Sequence, residues 1–507
     1  MSARQILAYG MIFSSATIIG YDSGYLNGVL GSKDFIHRYG VTGSDGVMYL
    51  KPYTRSLFSS LFVVGTLVGC QLVALLTEKI GRRGSLWAAA CTYAIGVALQ
   101  TAGLAPGVFI LGRILLGAAL GFISTTVPAY LMECSTATNR GRLIALYLQF
   151  LTAGNDIACG ISFGTSKYPD SRSWRITIAF QLFLAIVIFF GAMICPESPL
   201  LLARHNKHGE ARQALALLRN ANTDSPKVDE AMLEIEQHLA NQHALGTVRV
   251  IECFQGADLR RTLIGIAMSF FTIATGITFW FGYGTTFFAA AGVENSYLIS
   301  LLLAIVNCAF TAPSIYLVER LGRRRSLIGG GVLMAATQLL TGIIHSVAPD
   351  SNADKKMLVV GAVFFIASYA PTWGTGGWLL MAEPFSDRAR VYQSAVVLTT
   401  YWIFTWLIGF ITPYMVDSTA GNLGVNVSYI WFGMTVISII WAYVCVPELA
   451  GLSRLEVDEL FEQRVPAWRS RTWQKELRTV EATADLSDFG ELDAEEKKLS
   501  LEAGMKA

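Results

Sequence analysis

The chain has 507 residues, of which 53% are hydrophobic and 15% charged, and its formal net charge is +2. Soluble globular chains carry about 25% charged residues, so most of this surface faces something other than water. The near-neutral balance gives no footing for nucleic acid, and the eight scattered cysteines, with no CxxC pair, read as buried thiols rather than disulfides or metal ligands.

The first apolar run covers about 6–29. It holds Asp22, has no basic stretch beyond Arg4 and shows no small-residue cleavage site, so it reads as an uncleaved span. A helix needs about 20 mainly apolar residues to cross the hydrocarbon core. Runs of that length follow at 56–76, 85–103, 107–131, 143–164 and 175–195. A polar stretch then carries amphipathic spacing, with Ala211, Leu215 and Leu218, then Met232, Ile235 and Leu239, and reads as a helical cap. Six more apolar runs lie at 262–290, 298–318, 326–346, 357–382, 392–416 and 428–446. The runs lack the period-2 alternation of barrel strands. The expected fold is an all-α membrane protein of twelve transmembrane helices. Its expected units are an N-terminal six-helix bundle (1–195), a cytoplasmic linker (196–261), a C-terminal six-helix bundle (262–446) and a charged cytoplasmic tail (447–507) whose end reads as disordered.

Lysine and arginine crowd the short loops after spans 2, 4, 8 and 10, at Lys79, Arg82 and Arg83, Arg140 and Arg142, Arg320 and Arg323 to Arg325, and Arg388 and Arg390. That bias places these loops, both termini and the linker in the cytoplasm. Asn426-Val427-Ser428 then falls outside, where Asn426 is a glycosylation acceptor if the machinery reaches so close to span 12.

Charged signatures recur in order. Glu78 precedes Arg82-Arg83 as Glu319 precedes Arg323-Arg324; Glu133 precedes Arg140 as Glu383 precedes Arg390; Pro196-Glu197 and Pro447-Glu448 close the halves. Positive-inside anchoring explains the arginines but not the glutamates at matched spacing. Two like-oriented six-helix repeats follow, with the solute site between them near mid-membrane.

These residues resemble the sugar porter family of the major facilitator superfamily, fungal type. The resemblance rests on Gly20-Tyr21-Asp22-Ser23-Gly24, the loops from Glu78 and Glu319, Gly112-Arg113 with Gly117 and Gly121, Val127-Pro128-Ala129-Tyr130 through Glu133 to Arg140-Gly141, Pro196-Glu197-Ser198-Pro199, and Pro447-Glu448 through Ser453. It implies a plasma-membrane carrier of a small solute that works by alternating access, as a monomer in the bilayer and without cofactor or metal. It also implies gating salt bridges between the bundles, built from Glu78, Arg82, Arg83, Glu133, Arg140, Glu319, Arg323, Arg324, Glu383 and Arg390. Asp22 and Arg113 have two readings: a proton-coupling pair, as in the family's symporters, or a structural ion pair.

The expected solute contacts depart from the family's amides. The glutamine position of span 5 is Leu148, with Gln149 one place on; span 7 has Thr272, Ile273 and Thr278, and keeps Tyr283; span 11 has Tyr401 beside Trp402; Asn307 and Trp378 are retained. The resemblance implies that Gln149, Thr272, Thr278, Tyr283, Asn307, Trp378 and Tyr401 line the site. Losing several hydrogen bonds of about 0.5–1.5 kcal/mol each disfavours a hexose. The leading expectation is a transporter for a sugar or related polyol. A carrier of a non-sugar metabolite and a non-transporting nutrient sensor are the alternatives, and nothing in the chain has the spacing of an enzyme's site.

Overall fold

The computed structural model describes residues 3–479 except 44–45, 135–139, 246–248, 291, 293–294, 350, 387 and 418–419. The end of the tail, expected to be disordered, lies outside the described residues. Lipid offers a backbone no hydrogen-bond partners, so each apolar run satisfies its own as a helix. Span 1 is Ala3–Gly31. Spans 2 and 3 form one run, Pro52–Ala102, bent where Gly81 leaves helical geometry at φ 77°. Spans 4, 5 and 6 are Pro106–Cys134, Arg140–Thr165 and Arg172–Ile194. Three helices, Pro199–Arg204, His208–Arg219 and Pro226–Leu245, form the amphipathic stretch and share one small apolar core.

The second half is less regular than the even apolar runs suggest. Span 7 is split into Gly256–Ala274 and Ile277–Ala290 at Gly276, whose φ is 96°. Span 8 is split into Ser296–Thr311 and Ser314–Leu321 beside Pro313, which has no N–H to continue the ladder. Span 9 is Arg323–Val347. Span 10 runs from Asn352–Tyr369 through a wider turn at Ala370–Gly374, around Pro371, into Thr375–Leu380. Spans 11 and 12 are Arg390–Val416 and Val427–Cys445. Spans 2, 4, 6, 9, 10, 11 and 12 are each long and apolar enough to cross a membrane by length and composition alone. Strand structure among the described residues is a two-residue ribbon, Val41–Thr42 against Met48–Tyr49.

The buried apolar residues form two large clusters, one in each six-helix half. Helices within a half touch backbone to backbone. A Cβ on Gly117 would lie 1.8 Å from the Phe62 carbonyl oxygen, so only glycine lets spans 2 and 4 meet there. The tail from Arg454–Glu462 onward docks on the second half, where Arg261 pairs with Asp458 and the Gln474 amide donates to the Glu448 carbonyl at 2.8 Å.

Candidate functional site

The deepest charges meet. Arg113 Nη1 donates to Asp22 Oδ1 at 2.9 Å and to the Tyr25 hydroxyl at 2.7 Å, while its Nε donates to the Phe58 carbonyl at 3.0 Å. The Tyr25 hydroxyl in turn donates to Gln100 Oε1 at 2.8 Å. The two charged side chains are 1% and 3% exposed. A lone charge at this depth costs about 2.5–3.5 kcal/mol on insertion scales, which the pairing and the fixed donors offset.

The arginine loops repeat one design in both halves; we call the end they occupy the inner end. Arg82 clasps Glu133 through two hydrogen bonds of 3.2 and 2.7 Å, and Arg323 clasps Glu383 at 3.2 and 2.8 Å. Planar guanidinium and carboxylate groups favour this two-point geometry. Glu197 accepts from the Arg82 and Arg83 backbone N–H groups at 2.8 and 3.2 Å, and Glu448 accepts from that of Arg323 at 2.8 Å. Each carboxylate thus caps a helix start. Gly81 and Gly322 have φ of 77° and 87°, and a Cβ on either would lie 2.2 Å from a carboxylate oxygen. Arg83 and Arg324 reach back to the last carbonyls of spans 6 and 12, on Ala192, Met193 and Tyr443.

Each clasp lies within its own half, not between the bundles as expected. Glu78 faces Arg204 at 3.7 Å on an exposed surface, Glu319 is exposed, and Arg390 donates to the Phe385 carbonyl at 3.0 Å. The side chain of Arg140 lies outside the described residues.

The expected solute contacts separate into two groups. Trp378 is 37% exposed, and its ring lies 5.0 Å from Tyr401, which lies 5.5 Å from Trp402. Trp402 meets Phe62 of the first half at 6.4 Å, so this aromatic row crosses between the halves. Thr278 and Asn307 are half-buried. The other three are occupied elsewhere. Thr272 is buried against Gly377. The Tyr283 hydroxyl bonds the Gly409 carbonyl at 2.8 Å and the Ser59 hydroxyl. Gln149 Nε2 donates to the Cys308 carbonyl and sulfur at 3.2 and 2.9 Å, so its shift by one place turns it onto span 8.

Tyr283 belongs to a seam at the outer end that the motifs do not announce. Ser56 donates to the Phe410 carbonyl at 2.9 Å, the Thr285 N–H to Asn27 Oδ1 at 3.0 Å, and the Tyr297 hydroxyl to the Gly28 carbonyl at 2.9 Å. Arg55 approaches Asp417 at 3.8 Å. Asn27 and Arg55 were the available signals, as polar side chains at outer span ends. A second missed residue is Asp156, an acid in span 5 whose Oδ1 is buried with no hydrogen-bond partner. Asn426 is exposed, but Val427 and Ser428 are buried in the first turn of span 12.

The profile of the family described as "Sugar (and other) transporter" matches residues 7–461. The chain is 30% identical to the high glucose sensor RGT2 of Saccharomyces cerevisiae over 94% of its own length but 64% of the sensor's. It is 29% identical to the low-affinity glucose transporter HXT1 of the same yeast, over 91% of this chain and 82% of that one. It is 30% identical to the major facilitator-type transporter ecdD of Aspergillus rugulosus, over 92% and 89%. Among solved structures, the partially occluded inward-open xylose transporter XylE of E. coli matches with a TM-score of 0.73 at 20% identity, over 89% of this chain and all of that one. The fold is therefore the twelve-helix major facilitator fold in two six-helix repeats.

Proposed function

The chain belongs to the sugar (and other) transporter family, and on that premise we propose that it is a secondary transporter moving a small polar solute by alternating access. The observation that carries the reading is the asymmetry of its contacts. The cross-half hydrogen bonds run from the outer ends down to Gln149, while the Arg82–Glu133 and Arg323–Glu383 clasps stay inside their own halves. Rocking the halves about mid-span would part the outer seam and bring the inner loops together, a two-state element of the rigid-body kind. In this reading the clasps set the shape each half presents when the inner end closes.

The leading solute is a sugar or related polyol, approached by Trp378, Tyr401, Thr278 and Asn307. A second reading, a less hydroxylated metabolite, is favoured by the withdrawal of Gln149, Thr272 and Tyr283 into packing contacts. Asp22 and Arg113 are the proposed proton pair: protonation of Asp22 would remove the ion pair and weaken the hold of span 1 on span 4, leaving Arg113 on Tyr25 and the Phe58 carbonyl. The plasma membrane is the proposed location.

Uptake of labelled glucose, xylose and simple polyols by cells lacking their own hexose carriers, with and without a proton uncoupler, tests this reading. Saturable uptake of a polyol, with glucose poorly taken up, is expected. Binding of solute by surface-located protein with no uptake of any would overturn it in favour of a sensor.

A further inference from the structure

Asp156 lies on the face of span 5 that turns toward span 8. Gln149, two turns earlier, bonds Cys308, and a Cβ on Gly160, one turn later, would touch Leu301 at 3.9 Å. The carboxyl of Asp156 thus sits in the contact between the two halves, beside the Cys308 thiol. Its Oδ1 is buried without a hydrogen-bond partner, and among the described residues it forms no ion pair.

Among the described residues, the helices packed on span 5 place no cation beside it. Span 4 carries Arg113, which is held by Asp22 of span 1. Span 1 packs along span 5 through Gly20 and Gly24. Span 6 carries Arg172 and Arg175 only at its outer start, where they contact Asp170 and the Ala102 carbonyl. The titratable groups beside Asp156 are Cys308 of span 8 and Cys159 of its own helix. Burying a carboxyl oxygen with no cation beside it disfavours the charged form.

We infer that Asp156 is a proton-binding carboxylate in the seam between the halves, separate from the Asp22–Arg113 pair. The carboxylate takes one proton from water when the seam is wetted and becomes a neutral acid as spans 5 and 8 close. Parting of the seam returns the proton to water. No other bond forms or breaks. The site holds whether or not Asp22 couples to transport, and it needs no assumption about the solute.

A hydrophobic carbodiimide, which attacks protonated carboxyls in apolar surroundings, tests this on the wild-type protein in liposomes across a range of pH, read by peptide mass spectrometry. The expected result is an adduct on Asp156 that is lost as pH rises. In parallel, the infrared absorption of protonated carboxyls should lose one component in D156N and keep it in D22N. An unmodified Asp156 at every pH, or an unchanged infrared titration in folded D156N, overturns the inference. If D156N fails to fold, the wild-type labelling still decides.

Discussion

Arg113 has two side-chain partners and one carbonyl, all supplied by helices of its own half, so its charge is held from several directions. Removing Asp22 strands that charge. Breaking one side of a buried pair costs about 3–5 kcal/mol, so D22N should melt earlier in detergent by that order, and D22N/R113Q should recover part of the loss. If Asp22 carries the coupling proton as proposed, D22N should abolish uncoupler sensitivity of uptake. Gly81 and Gly322 answer to a different constraint, because both backbone conformation and space forbid a side chain. G81A should destabilise the first half by roughly 1–3 kcal/mol, measured as a lower melting temperature, and G322A should do the same in the second. The glutamates and arginines of the two clasps were legible as a spaced, repeated pattern. Glu197 and Glu448 were legible only as punctuation, because a cap on a backbone distant in sequence leaves no local signature. Asp156 escaped notice because one acid inside an apolar run barely changes its average.

At the scale of helices, the apolar runs located the spans but not their breaks. Gly276, Pro313 and Pro371 interrupt spans 7, 8 and 10, and hydropathy is blind to backbone angle. Gln149 stands one place on from the expected glutamine position of span 5, and where its side chain ends depends on how span 8 crosses. Beyond the twelve spans the energetics are ordinary. Arg212 and Asp229 pair across two exposed linker helices, and such pairs are worth about 0–1 kcal/mol, so D229N should leave the melting temperature almost unchanged. The docked tail starts with a capping box in which Ser453 and Glu456 bond each other. Hydrogen bonds from the Ser453 hydroxyl and backbone hold the Glu456 carboxyl below the ordinary glutamate range. Its folded value lies below its unfolded one, so the contribution is full above the unfolded value and is lost as pH falls through the folded one. Proteolysis of the tail should therefore increase as pH drops below about 4, and E456Q should remove that component of the change.

For the whole molecule, the duplicated charges revealed two halves, and the structure adds where those halves touch. The outer seam is made of backbone carbonyls and short polar side chains, Asn27 with Thr285, Tyr297 with Gly28, Ser56 with Phe410. Residues of that kind carry no motif; their meaning comes from being opposite one another. If the halves rock, this seam has to open once in every cycle. The direct test is a double variant, N27C/T285C, oxidised to a disulfide across the seam, with the cross-link verified by mass spectrometry. Uptake of whichever solute the panel identifies should stop on oxidation and return on reduction. Uptake that continues with the cross-link fully formed would contradict alternating access through this seam.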